Sequence, residues 1–72
     1  MTAPTPILTG RVVDYDEAVG LGTVEDAGGR RFGFHCTQIA DGTRRIDAGT
    51  RVAFEVVAAR RGSWEAARLT RL

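Results

Sequence analysis

The side chains of this 72-residue chain that could do chemistry are few and scattered. It has one histidine, His35, one cysteine, Cys36, one tyrosine, Tyr15, and one tryptophan, Trp64. One Cys and one His cannot build a zinc site, so no metal is expected. His35 has no serine or second histidine near it in sequence, which leaves it without a nucleophile to activate or a partner to orient it. Gly20-Leu21-Gly22 is too short a signal for a dinucleotide or phosphate loop, and no cofactor is expected. With no catalytic constellation, the chain does not read as an enzyme.

What remains is binding chemistry. All ten basic residues are arginine, the side chain that forks onto phosphates and stacks on bases. Six of them form the pairs Arg30-Arg31, Arg44-Arg45 and Arg60-Arg61, each at a turn or strand end. Gathered on one side, and joined by Arg11, they would make a track for a phosphate backbone. Read otherwise, they are solvated loop charge, because Asp26, Asp41 and Asp47 are interspersed with them. The arginine bias itself also fits the codons of a GC-rich genome, since Ala, Gly and Val are abundant too. A net charge of +1 gives the whole molecule no strong pull toward nucleic acid. Trp64 is either an aromatic platform at a sheet rim or a plug over the core.

The elements that would position these residues form one small domain. A chain of this length has a thin core with little depth for a closed pocket, so surface binding is the default. No apolar run approaches the length of a membrane span. The N-terminus lacks the basic start and apolar stretch of a signal peptide, and a single cysteine fits a reducing compartment, so a cytoplasmic location is expected. Residues 1–6, with Pro4 and Pro6, read as a flexible arm, and residues 7–72 as the domain.

Ile7 to Asp16 predicts a first strand, and Gly20 to Glu25 a second whose alternating glycines suit tight curling. Asp26-Ala27-Gly28-Gly29 is a hairpin signal. Arg30 to His35 follows as a third strand, where period two sends Phe32 and Phe34 inward and Gly33 and His35 outward. A short helical turn is expected near Thr37–Ala40. Thr50 to Ala58 is the clearest strand, with Val52, Phe54 and Val56 inward, and Trp64 to Thr70 closes the sheet. The result is an all-β fold, a five-stranded antiparallel barrel whose closure removes exposed edges.

The order Gly10-Arg11-Val12, Gly20-Leu21-Gly22-Thr23-Val24, Phe32-Gly33-Phe34-His35-Cys36, Val52-Ala53-Phe54-Glu55-Val56 and Arg61-Gly62…Ala66-Ala67 resembles the bacterial cold-shock domain, over roughly Leu8 to Leu72. The resemblance implies a barrel of the oligonucleotide/oligosaccharide-binding type that holds single-stranded DNA or RNA by stacking bases on aromatics of the second and third strands. The family's second strand reads Gly-Phe-Gly-Phe; here Leu21 and Thr23 stand at the aromatic positions. The family's third strand reads Val-Phe-Val-His-Phe; here Phe32 to Cys36 keep the inward bulk and lose both outward rings. The first-strand Trp-Phe pair becomes Asp14-Tyr15, and a further loop aromatic before Ile46 has no counterpart. Each base–aromatic stack is worth about 1–3 kcal/mol. At the low end, the missing platforms forfeit about 5 kcal/mol, more than about three decades of affinity.

Two functions follow as expectations. The first is a divergent nucleic-acid binder, weak or altered in specificity, using Arg11, Tyr15, Leu21, Thr23, Arg31, His35, Arg44, Arg60, Arg61 and Trp64. Asp14, a carboxylate at the family's tryptophan position, opposes phosphate there. The second is a protein-interaction or self-associating module, with Val13, Val19, Leu21 and Cys36 as an outward apolar patch.

Overall fold

The computed structural model describes residues 6–59 and 62–72. Five strands follow one another along the chain: β1 (Ile7–Asp16), β2 (Leu21–Asp26), β3 (Arg31–His35), β4 (Arg51–Ala58) and β5 (Trp64–Arg71). Each lies within a residue of the span expected from alternation. They close into a barrel in the order β1-β2-β3-β5-β4, with β1 returning to pair with β4. The first three strands form an antiparallel meander and β4–β5 a hairpin. A single parallel pair, Gly33 with Glu65, joins β3 to β5. This is the all-β barrel architecture the alternation called for.

The core is built from Val12, Val24, Phe34, Val52 and Phe54 at alternating strand positions, Ala66 and Leu69 of β5, where a register shift interrupts the alternation, and Ile39 and Ile46 from the long β3–β4 connection. Phe34 is buried, and Phe32 is half-buried against the core with its ring 5.9 Å from that of Phe54. Gly33 and His35 face outward, as period two requires.

β1 serves two neighbours. Its first half, Ile7–Arg11, pairs with β4, and its length from Gly10 onward pairs with β2. Between Val12 and Asp14 the register slips, so Val13 is an extra residue in the ladder. The bulge puts Asp14 opposite Thr23 on the outer face and Tyr15 opposite Gly22 on the inner one. Gly22 is required there, because a Cβ would stand 2.5 Å from Phe34 Cζ and 2.8 Å from the Asp14 carbonyl. Gly10 meets the Glu25 backbone in the same way, where the strand must bend to change partners.

One expectation is corrected. Cys36 is 3% exposed rather than outward. It stands two residues past Phe34, so alternation itself carries it inward, and its N–H donates to the Gly20 carbonyl at 2.8 Å. The chain then leaves the sheet in one turn of 3-10 helix, Cys36–Gln38, a residue earlier than the sequence suggested. No helix among the described residues is long and apolar enough to cross a membrane.

Candidate functional site

The outer face of β1, β2 and β3 is laid out by register alone. At one end, near the β2–β3 hairpin, Arg11 stands opposite Glu25, and Glu25 opposite Arg31. In the middle, Asp14 faces Thr23 and Thr23 faces Gly33. At the far end Asp16 faces Leu21 and Leu21 faces His35. The row at the hairpin end extends onto the next strand, because Arg11 also pairs with Arg51 of β4. Arg51, Arg11, Glu25 and Arg31 therefore cross four neighbouring strands on one surface. Glu25 is shared, at 3.0 Å from Arg31 and 3.9 Å from Arg11, and Arg51 has no ion-pair partner among the described residues. Three guanidinium groups against one carboxylate leave the row cationic.

The far end has the opposite sign. Asp14, Asp16 and Glu17 are all exposed there. The Asp16 carboxylate accepts from the N–H groups of Ala18 and Val19 and so closes the β1–β2 turn. Glu17 meets Arg45 at 3.5 Å. The face thus grades from arginine to carboxylate along the strands, a polarity the residue types alone did not reveal because it depends on which positions the register brings together.

His35 stands at the end of β3, exposed, and caps the 3-10 turn: its Nδ1 accepts from the Thr37 N–H at 3.2 Å. An accepting Nδ1 leaves the neutral ring's proton on Nε2, which makes His35 a hydrogen-bond donor beside Leu21. Tyr15 is committed differently. Its ring lies parallel to that of Phe34, 5.8 Å between centroids, and its hydroxyl donates to the Arg44 carbonyl at 2.7 Å. Burial, helped by the nearby Cys36 and Glu17, raises the Tyr15 pKa above its ordinary value. One face of the ring is therefore packed, and the side chain closes the barrel end while tying down the loop that carries Arg44.

Arg30 and Arg31 do not act as a pair. Arg31 points to the outer face, whereas Arg30 lies over the Phe32 ring at 5.8 Å and bridges to Asp26 at 2.9 Å. The buried Asp26 carboxylate also accepts from the Gly28 and Arg30 N–H groups, and these bonds, the backbone one from Arg30 foremost, lower its pKa. Arg44 and Arg45 sit in the β3–β4 connection toward the acidic end, and Arg60 and Arg61 lie outside the described residues. Trp64 is 59% exposed at the start of β5 and lines a shallow groove with Leu8, Phe32 and Val56. Because Phe32 faces the opposite way from His35 on β3, Trp64 belongs to the barrel's end and not to the His35 face.

Of the residues expected to act together, Arg11, Leu21, Thr23, Arg31 and His35 share one face; Tyr15, Arg44 and Trp64 do not join them. Arg51 was missed by the sequence reading, since only the β1–β4 register places it beside Arg11. Among the described residues no cluster of His, Cys, Asp and Glu could hold a metal ion. No protein-family model matches the chain, and no curated protein matches it significantly.

Proposed function

We propose that this protein is a divergent cold-shock-like barrel that binds single-stranded DNA or RNA weakly, gripping the phosphate backbone more than the bases. The observation that carries the reading is the cationic row of Arg51, Arg11 and Arg31 across adjacent strands. Guanidinium groups spaced along a surface neutralise successive phosphates, and this term is independent of sequence. The aromatic stacking that would add base affinity is absent from the same face, where Thr23 and Gly33 stand at its centre. His35, donating from Nε2, supplies one polar contact beside Leu21.

A labelled pyrimidine-rich oligonucleotide, followed by fluorescence anisotropy at low salt, tests this. The wild type is expected to bind with a Kd on the order of 10 μM, and the Arg11→Ala/Arg51→Ala variant to bind at least about tenfold more weakly. Absence of binding by the wild type at about 100 μM, or equal binding by the variant, contradicts the proposal.

A second reading, as a protein-interaction or self-associating module, draws on the exposure of Val19 at 60% and Leu21 at 51%. Cys36 is buried and Val13 half-buried, which leaves Val19 and Leu21 as the exposed part of that patch, beside the acidic end. Sedimentation at rising concentration tests it: self-association supports it, and a strict monomer removes the homodimer.

A further inference from the structure

A second surface adjoins the outer face at the Arg11–Arg51 pair. Three shallow depressions lie in sequence around the β2–β3 hairpin. The first is walled by Arg11 and Arg51 and shares Thr9, Asp26 and Ala27 with the second. The second shares Leu8 and Arg30 with the third, which ends at Trp64. Their shared walls set the three side by side as a shallow groove of adjoining depressions. It follows β1 from Arg11 back to Pro6, about 17 Å at a strand's rise of about 3.4 Å per residue. That span suits the lower end of the roughly 4–16 nucleotides a barrel of this type holds.

The groove's chemistry changes along its length in the order a nucleic-acid strand needs. Arg11 and Arg51 stand at its mouth, and Arg51 has no ion-pair partner among the described residues. The two carboxylates in its wall are already answered: Glu25 by Arg11 and Arg31, Asp26 by Arg30 and two backbone N–H groups. At the far end, apolar Leu8, Phe32 and Val56 surround Trp64. Trp64 is not needed as the plug of the barrel, because Phe32 already packs on Phe54 at that end. An indole left 59% exposed over an apolar floor, with a guanidinium beside it, is a stacking platform. The His35 face offers no such ring and becomes acidic toward Asp14 and Asp16.

We infer that single-stranded nucleic acid leaves the β1–β3 face at the Arg11–Arg51 pair and runs along this groove, so that a base stacks on Trp64. This rests on the nucleic-acid reading above and relocates the aromatic contact to the barrel's end.

Trp64 is the only tryptophan, so its fluorescence reports the groove directly. Titrating an unlabelled oligothymidylate of about eight nucleotides should quench Trp64 along the same curve that anisotropy of the labelled strand follows. Trp64→Leu should weaken binding about 5- to 100-fold, while Trp64→Phe, which keeps a ring, should retain most of it. Circular dichroism of both variants checks that the barrel is intact. If the wild type binds but Trp64 fluorescence is unmoved and Trp64→Leu binds equally well, the groove is refuted and the broader reading stands. If no strand binds at low salt, both fall. If an acidic peptide such as oligoglutamate quenches Trp64 and the oligonucleotide does not, the groove is a protein-docking surface and the inference is wrong.

Discussion

Thr23 and Gly33 stand side by side at the centre of the outer face, and neither offers a base a ring. If stacking is what this face lacks, Thr23→Phe should restore part of it, raising affinity for a short oligonucleotide about 5- to 100-fold by anisotropy. No gain would mean that the strand does not cross β2. Gly22, one position along, is constrained from the other side. A Cβ there would press into both the Phe34 ring and the Asp14 carbonyl, so Gly22→Ala should cost about 1–3 kcal/mol, read as a lowered urea midpoint. A neutral substitution would show that the sheet yields at this point. At this scale the sequence was informative where period two operates: Phe34 in, His35 out. It failed at Cys36, which the family comparison pulled outward although its distance from Phe34 placed it inside. Arg30 and Arg31 looked like one charge cluster, yet Arg30 lies in the hairpin, held to Asp26, while Arg31 opens β3 on the outer face.

The β3–β4 connection is held near its middle by side chains from two strands, which gives an irregular segment a fixed course. Arg71 of β5 reaches the Asp41 carboxylate at 2.8 Å and the Thr43 hydroxyl at 2.9 Å, and Tyr15 holds the Arg44 carbonyl from β1. Hydrogen bonds from Arg71, then Thr43, hold the Asp41 carboxyl down to about 2. A carboxyl with a folded pKa below its unfolded value contributes stability in full above the unfolded value, near about 4, and loses it as pH falls through the folded one. Asp26, lowered by the Arg30 backbone N–H and its other partners, adds in the same direction. Urea midpoints should therefore fall between about pH 4 and pH 2, and Asp41→Asn should flatten that decline. An unchanged slope would show that the Arg71 contact does not persist in solution. The strands themselves were legible, because alternation and turn residues mark them. The bulge at Val13 was not. No single residue announces it, and it follows from β1 having to satisfy β4 and β2 at once. That bulge decides that Tyr15 packs on Phe34, so the residue's role depended on a feature only the register shows.

For the whole molecule, the net charge of +1 hides the grading of the β1–β3 outer face from arginine at one end to carboxylate at the other. A binder of this kind is drawn to phosphate by a local row and not by its total charge. The central claim is that the backbone contacts of Arg51, Arg11 and Arg31 carry the affinity, and the salt dependence of oligonucleotide binding measures this most directly. With two or three phosphates neutralised, log K against log salt should fall with a slope of about −1.4 to −2.1, and Arg11→Ala/Arg51→Ala, which leaves Arg31, should bring it to about −0.7 or shallower. A wild-type slope near zero, or one that the double substitution leaves unchanged, would contradict the account.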